Sequence, residues 1–220
     1  MAEIRTVGVI GAGQMGTGIA HVCALAGYDV LLNDLSAERI EAGIRGTRAN
    51  MTRQVARGII SQDAMDAGLA RIVPADDMAD FKTADLIIEA ATEDEATKKL
   101  IFKALAPHVN ADALLASNTS SISITRLAST TDRPERFIGL HFMNPVPVMK
   151  LVEIIRGIAT DAPTYDTAVN FAQSLGKTTA NAEDFPAFIV NRVLVPMINE
   201  AIYTLYEGVG TVDAIDTALK

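Results

Sequence analysis

The chain has 220 residues, which is enough for one α/β domain with a smaller appendage. Apolar residues make up 49% and charged residues 21%, a composition that predicts a packed core and excludes general disorder. The formal net charge of −8 argues against nucleic acid as a partner, because phosphate binding requires an excess of Lys and Arg.

The remaining composition indicates an intracellular protein without a membrane partner. No run approaches the ~20 apolar residues that span a bilayer. The start, MAEIRTVGVIG, enters an apolar strand directly, so we expect no leader peptide. Cys23 is the only cysteine, so no internal disulfide is possible, and we expect a buried thiol in a helix. We expect a cytoplasmic location, or the mitochondrial matrix for a processed eukaryotic protein.

The first 34 residues read as strand, glycine turn, helix, strand and acid. Residues 4–10 are apolar and β-branched, and GAGQMGTG follows them directly. Gly11, Gly13 and Gly16 match G-x-G-x-x-G, in which the glycines permit a tight turn, pyrophosphate approach and close packing. The helix N-terminus then offers free N–H groups to phosphates. With Asp34 placed 18 residues after Gly16, the segment predicts dinucleotide binding.

The helix is expected to end at Gly27, and a second strand to run from Asp29 to Leu32. Asp34 at its end favours NAD over NADP, since a carboxylate repels a 2′-phosphate. Arg39 is interpreted as a surface residue of the next helix. A tight strand–helix turn in another kind of α/β protein is the alternative to dinucleotide binding.

A helical excursion at about 36–70 follows. Its first helix, about 36–58, carries Arg45, Arg48, Arg53 and Arg57 at spacings that let several share one side. This stripe has two readings, a solvated helix face or an anion site for the phosphorylated handle of a substrate. A second helix is predicted from Ser61.

Two buried strands follow, at about 85–90 and 113–116. The second ends in SNTSS, where open parallel sheets bind their ligands, although a plain loop is equally compatible. The alternation of elements predicts a doubly wound, mostly parallel sheet. A domain boundary is expected near residues 183–186, followed by one long apolar helix that needs packing partners on several sides.

Residues 139–156, GLHFMNPVPVMKLVEIIR, combine a histidine with an acid inside an apolar strand. Burying Glu153 is costly unless it is paired, and His141 lies on the preceding strand, across a short rigid connection. A Glu–His hydrogen bond would fix the imidazole tautomer and leave the other nitrogen to take a proton. A structural pair without chemistry is the alternative. The dinucleotide motif favours chemistry, because a nicotinamide carries hydride but not the alcohol proton.

Four segments, GAGQMGTGIA, ASNTSSISIT, GLHFMNPVPVMKLVEII and FIVNRVLVPMINEA, resemble the L-3-hydroxyacyl-CoA dehydrogenase family, in particular its bacterial 3-hydroxybutyryl-CoA members. The resemblance covers the whole chain. It implies a Rossmann-type NAD-binding domain at 1–185 and the start of a helical substrate and dimerisation domain at 186–220. It also implies NAD-dependent oxidation of L-3-hydroxyacyl-CoA to 3-oxoacyl-CoA and the reverse, NAD as cofactor, an acyl-CoA substrate, a homodimer and no metal.

The resemblance also assigns residues. The catalytic positions it implies are His141, Glu153, Ser120 and Asn191. The cofactor-binding positions are Gly11, Gly13, Gln14, Met15, Gly16, Asp34, Glu93, Lys98, Ser120 and Asn144, with Glu93 and Lys98 expected on the helix after the fourth strand. The substrate-binding positions are Ser120, His141, Asn191, Arg53 and Arg57. His21 and His108 are expected to have structural or surface roles.

The family continues through further helices beyond the point where this chain stops, so we expect an incomplete C-terminal domain. Two alternatives remain open. One is an NAD-dependent dehydrogenase of a free hydroxy acid or sugar acid. The other is a truncated dinucleotide-binding protein with little activity.

Overall fold

The computed structural model describes residues 3–220, so Met1 and Ala2 of the opening segment lie outside the described residues. The N-terminal part alternates strands with helices as its sequence pattern predicts. Its elements are β1 (Thr6–Ile10), α1 (Gln14–Leu25), β2 (Asp29–Asn33), α2 (Ala37–Ala56), α3 (Gln62–Ala70) and β3 (Ile72–Pro74).

The second part contains two parallel βα units, an antiparallel strand pair and two terminal helices. Its elements are β4 (Leu86–Glu89), α4 (Glu95–Leu105), β5 (Leu114–Ser117), α5 (Ile124–Ala128), β6 (Phe137–Phe142), β7 (Leu151–Arg156), α6 (Ala162–Ser174), β8 (Thr178–Glu183), α7 (Val190–Tyr206) and α8 (Val212–Ala218). Short 3-10 turns precede β4 and β6.

The strands form one eight-stranded sheet in the order β3-β2-β1-β4-β5-β6-β7-β8. Neighbouring strands are parallel except for β6 and β7, which are antiparallel. The chain builds outward from β1 to β3 and then returns to the other side of β1 with β4. This reversal is a topological switch point, where α/β sheets bind ligands at the carboxyl ends of the strands. The predicted doubly wound, mostly parallel sheet is confirmed.

Neither α6 nor β8 was predicted from the sequence. β8 reads TTANAE and lies at the edge of the sheet with only Ala182 buried, so it lacks the apolar pattern of a buried strand. By contrast, every residue of β4, β5 and β6 is buried, which explains why those strands were recognised as apolar runs.

The terminal helices α7 and α8 pack against each other and leave many apolar side chains in solvent. α7 has no buried residue, although its sequence is mostly apolar. The exposed apolar residues of the two helices are Val193, Leu194, Val195, Met197, Ile198, Ile202, Tyr203, Leu205, Tyr206, Val212 and Leu219. Within residues 3–220, no helix combines the length and apolar character that crossing a membrane requires.

Candidate active site

The glycine turn between β1 and α1 has backbone contacts that leave no room for a side chain at Gly11 or Gly16. Gly11 has φ +108°, and a Cβ there would lie 2.6 Å from the carbonyl oxygen of Ala90. A Cβ on Gly16 would lie 1.7 Å from the carbonyl oxygen of Gly11. A Cβ on Gly13, by contrast, would meet no atom within 4 Å, so this glycine faces open space at the start of α1. No side chain caps that helix N-terminus.

Asp34 holds the glycine turn from the end of β2. Its Oδ2 accepts the Ala12 N–H at 2.7 Å, and its Oδ1 accepts the Leu35 N–H at 2.7 Å. Asp34 lines a cavity of about 370 Å³ together with Gly11 and Asp77. Arg39 is exposed, as expected, but its Nη1 also lies 3.4 Å from Asp34 Oδ1. The carboxylate is therefore ordered before any ligand arrives.

His141 and Glu153 are directly opposite each other on β6 and β7. Cross-strand partners on one face lie within contact distance, and Nδ1 of His141 is 2.7 Å from Oε2 of Glu153. Because an ionised carboxylate only accepts hydrogen bonds, Nδ1 donates and Nε2 is left as the acceptor nitrogen. Glu153 is fully buried, and its Oε1 accepts the N–H groups of Ile189 and Val190 at 2.9 Å each. This buried acid therefore has three hydrogen-bond partners.

Glu93 organises the polar loop that follows β5. Its Oε1 accepts the Ser120 N–H at 2.8 Å and the hydroxyls of Thr119, Ser120 and Ser121 at 2.7, 2.9 and 3.0 Å. Burial alone would raise the pKa of Glu93, but the hydrogen bonds from Thr119 and Ser120 hold that pKa below its usual value. Glu93 lies two residues before the start of α4, whose N-cap is Asp94, so the predicted placement of Glu93 on the helix was wrong.

Lys98 is buried on α4 against an acid that the sequence reading did not select. Its Nζ lies 2.6 Å from Oε2 of Glu89, and the Ser117 hydroxyl donates to the same oxygen at 2.8 Å. Glu93 Oε2 is farther from Nζ, at 3.9 Å. Glu89 ends the apolar run DLIIE. An acid in an apolar run is the same sequence signal that indicated Glu153.

Two asparagines complete the site. Asn191, in the first turn of α7, donates from Nδ2 to the Ser120 carbonyl oxygen at 3.1 Å. Asn144 begins the turn after β6, and its bond to Pro145 is cis. Lys177 supports this turn, donating from Nζ to the carbonyls of Val146 and Met149 at 2.5 and 2.9 Å. The sequence offers no local signal for Lys177, because the contact spans about thirty residues.

These elements enclose one cleft of about 710 Å³ at the carboxyl ends of β1, β4, β5 and β6. The predicted site residues that line it are Gly13, Gln14, Met15, Glu93, Lys98, Ser120, His141, Asn144 and Asn191. Gly11 and Asp34 line the adjacent cavity described above. Gly16 packs against Gly11, and Glu153 hydrogen-bonds His141, without lining the cleft. The structure therefore brings most of the predicted positions together.

Arg53 and Arg57 lie outside the cleft, exposed near the C-terminal end of α2. A second groove of about 440 Å³ shares Gly13, Gln14 and Asn144 with the cleft and follows α2 through Gly46 to Asn50. Arg53 donates from Nη2 to Oδ1 of Asn50, at the far end of this groove. The groove therefore runs from the cleft toward the basic end of α2.

The single thiol and the other two imidazole groups lie outside the cleft. Cys23 is buried in α1, as predicted, and burial raises the pKa of its thiol. His21 is buried two residues earlier in α1, with Nε2 3.1 Å from Oε1 of Gln54 and no partner for Nδ1 within residues 3–220. His108 is exposed beyond α4. None of the three lines the cleft.

Comparison with known proteins agrees with this architecture. The family model of the 3-hydroxyacyl-CoA dehydrogenase NAD-binding domain matches residues 6–185, and that of the 3-hydroxyacyl-CoA dehydrogenase C-terminal domain matches residues 188–220. A 3-hydroxybutyryl-CoA dehydrogenase from Bradyrhizobium diazoefficiens is 59% identical over 100% of this chain and 75% of its own length. A probable 3-hydroxybutyryl-CoA dehydrogenase from Bacillus subtilis is 45% identical over 99% of this chain and 76% of its own length.

A solved structure shows the same fold. The (S)-3-hydroxybutyryl-CoA dehydrogenase from Ralstonia eutropha superposes with a TM-score of 0.93 at 42% identity, covering 96% of this chain and 75% of that one. The family models together span nearly the whole chain, and the predicted resemblance is confirmed. The chain belongs to the 3-hydroxyacyl-CoA dehydrogenase family.

Proposed function

We propose that the protein oxidises L-3-hydroxyacyl-CoA to 3-oxoacyl-CoA with NAD and catalyses the reverse reduction, with substrates such as 3-hydroxybutyryl-CoA and acetoacetyl-CoA. One observation carries this proposal. His141, held at Nδ1 by the buried Glu153, lines the same cleft as the glycine turn, Ser120 and Asn191. A proton acceptor and a dinucleotide-binding turn in one cleft are the two parts that alcohol oxidation requires.

The residues around the glycine turn fit NAD. Gly13 leaves open space at the uncapped N-terminus of α1, where a pyrophosphate would meet free N–H groups and the positive end of the helix dipole. Asp34 is in position to accept hydrogen bonds from the adenosine ribose, and its charge disfavours a 2′-phosphate. When bound, NAD supplies the acceptor for the hydride that leaves C3 of the substrate.

His141 and Glu153 handle the proton. In the oxidation direction, the 3-hydroxyl group donates its proton to Nε2 of His141, while Nδ1–H remains hydrogen-bonded to Glu153. The carboxylate then stabilises the imidazolium. In the reduction direction, the same nitrogen returns the proton to the 3-oxo oxygen. Ser120 and Asn191, which are joined by the hydrogen bond from Nδ2 to the Ser120 carbonyl, orient the substrate against His141.

The groove along α2 favours a coenzyme A thioester over a free acid. It extends away from the cleft by the length of two helical turns, between Ala42 and Asn50, and ends near Arg53. Arg53 and Arg57 share the exposed end of α2 and would meet the phosphates of the coenzyme. Replacing both by Glu should raise KM for acetoacetyl-CoA far more than KM for an acetoacetyl-pantetheine analogue. Equal effects on both substrates would count against a coenzyme A site at this end of α2.

We also propose a homodimer formed through the helical C-terminal part. The exposed apolar side chains of α7 and α8 support it, since contiguous apolar surface of this kind marks association sites. Sedimentation equilibrium measures the mass directly. A cytoplasmic location is the companion expectation, and the single buried thiol suits a reducing compartment.

The deciding experiment is a spectrophotometric assay of NADH loss with acetoacetyl-CoA. Parallel reactions contain NADPH in place of NADH, or free acetoacetate in place of the thioester. Oxidation of NADH with the thioester alone establishes the reaction. NADH binding by fluorescence without turnover would indicate a dinucleotide-binding protein with little activity. The variant His141→Gln should bind NADH normally and lose the reduction, so comparable activity in it would remove His141 from the mechanism.

A further inference from the structure

Residues 184–189, here termed the linker, join β8 to α7 along a strained path. Ala187 has φ 66° and Phe188 has φ 50°, so two consecutive residues with side chains occupy the left-handed region. Residues other than glycine rarely adopt this conformation, and it persists only where the surroundings enforce it. The contacts at the two ends of the linker therefore determine whether it keeps this path.

Asp184 anchors the first end to the start of α5. Its Oδ1 accepts the Ile124 N–H at 2.9 Å, and its Oδ2 accepts the Thr125 N–H at 2.8 Å and the Ser123 hydroxyl at 2.7 Å. Burial alone would raise the pKa of Asp184, but the hydrogen bonds from Thr125 and Ser123 outweigh it and lower that pKa. The loop that carries Ser120 leads directly into these donors, so Asp184 ties the linker to the Ser120 loop.

The second end meets the proposed catalytic groups. Glu153 accepts the N–H groups of Ile189 and Val190 through Oε1 while its Oε2 holds His141. Phe188 is buried beside the imidazole, with ring centroids 6.1 Å apart. Oε2 of Glu153 therefore binds the proposed proton acceptor, and Oε1 binds the second end of the linker. A shift of the linker withdraws both N–H donors and frees the carboxylate to rotate away from Nδ1.

We propose that Asp184 is a positioning residue for the reaction. By fixing the first end of the linker, it holds the N–H groups of Ile189 and Val190 on Glu153, and so sets both the His141 ring and the start of α7 with Asn191. The chemistry rests on the function proposed above, whereas the anchoring is a property of the free protein. Asp184 acts through Glu153 and Asn191 and does not line the cleft itself.

The test uses Asp184→Asn, with Asp161→Asn as the matched control. In either orientation of the new amide, its NH2 group faces a backbone N–H, of Ile124 or of Thr125, so one contact is always lost. Asp161 likewise accepts a backbone N–H at a helix start, that of Thr164 at 2.7 Å, but it is the N-cap of α6 and does not line the cleft. Ser123→Ala is the milder variant, since it leaves both backbone contacts of Asp184 in place.

We expect Asp184→Asn to lower kcat for acetoacetyl-CoA reduction by about tenfold or more, since small misplacements of catalytic groups have effects of this size. NADH affinity should change much less than kcat, because the glycine turn is not involved. Ser123→Ala should lower kcat in the same direction by less, and Asp161→Asn should leave it unchanged. A kcat for Asp184→Asn equal to that of Asp161→Asn would overturn the proposal.

Hydrogen exchange gives a readout that is independent of turnover. In the free protein, the peptide containing Ile189 and Val190 should exchange faster in Asp184→Asn than in the wild type, and at the wild-type rate in Asp161→Asn. Unchanged exchange in Asp184→Asn would overturn the anchoring whatever the activity. If the wild type does not turn over acetoacetyl-CoA, the proposed function fails, and the exchange rates still decide whether Asp184 holds the linker.

Discussion

Replacing Glu153 by Gln tests the tautomer on which the proposed chemistry depends. The substitution preserves size, so packing around the fully buried side chain is retained. The wild-type carboxylate accepts two backbone N–H groups at Oε1 and one imidazole N–H at Oε2. An amide can accept on only one side. With its oxygen toward Ile189 and Val190, its NH2 group must donate to Nδ1 of His141, which moves the ring proton to Nε2.

The two amide orientations differ by two hydrogen bonds. With the amide oxygen toward Ile189 and Val190, both backbone N–H groups are satisfied, and the NH2 group can still donate to His141 in its other tautomer. With the amide oxygen toward His141, the NH2 group faces the N–H groups of Ile189 and Val190, and neither of these contacts is a hydrogen bond. At about 1 kcal/mol per hydrogen bond, and more for buried groups left unpaired, the first orientation dominates. Nε2 then carries a proton and cannot accept one from the 3-hydroxyl group.

The expected effect on turnover is large. In a Ser-His-Asp triad, the corresponding acid-to-amide change lowers kcat by roughly 10⁴-fold by imposing the wrong tautomer. We expect about 10³- to 10⁴-fold here, which equals ~4 to 5.5 kcal/mol of activation free energy. The lost charge-assisted hydrogen bond should lower the free energy of unfolding by ~1 to 3 kcal/mol.

The assay follows oxidation of 3-hydroxybutyryl-CoA at 340 nm at neutral pH, together with NADH binding by fluorescence and thermal unfolding. The variant should bind NADH with wild-type affinity, because Glu153 does not touch the glycine turn. A kcat within about tenfold of the wild type in a folded variant would refute the tautomer argument, since this loss is far below the loss expected from a protonated Nε2.

The features predictable from sequence are those whose cause is local. The glycine turn was readable because Gly11 has a positive φ and Gly16 packs against Gly11 within the same βα unit. The His141–Glu153 pair was readable because a short turn joins adjacent strands, and an acid in an apolar strand must find a partner. The same reasoning, applied to Glu89 at the end of DLIIE, would have indicated its buried pairing with Lys98 nine residues later.

The features that could not be read depend on packing between distant segments. Asp184 meets its donors about 60 residues earlier in the chain, and Asn191 meets the Ser120 carbonyl 71 residues away. Nothing in the linker sequence marks Ala187 and Phe188 as left-handed, because the conformation is imposed from both ends. The place of Asn191 in the site was available only through resemblance to the family.

Three further substitutions test the cofactor site, the linker and the buried histidine. Gly13→Ala should fold normally, since its Cβ meets no atom within 4 Å. It should weaken NADH binding by about tenfold or more, because the methyl group fills the space for the pyrophosphate. An unchanged NADH affinity in a fluorescence titration would contradict this. Ala187→Gly should raise the free energy of unfolding in urea by ~0.5 to 1 kcal/mol, because glycine adopts a positive φ without strain. The control Ala67→Gly, in α3, should lower it by ~1 kcal/mol. If both substitutions lowered the free energy of unfolding, the result would count against strain at Ala187. Burial lowers the pKa of His21, only partly offset by its hydrogen bond with Gln54, so the folded protein favours the neutral ring. Its contribution to stability is therefore complete above the unfolded pKa of ~6.5 and is lost as the pH falls through the lower folded value. His21→Gln keeps a hydrogen bond to Gln54 but does not titrate, so its Tm should fall less than that of the wild type between pH 7 and pH 5. Parallel Tm profiles would show that His21 does not set the acid sensitivity of the fold.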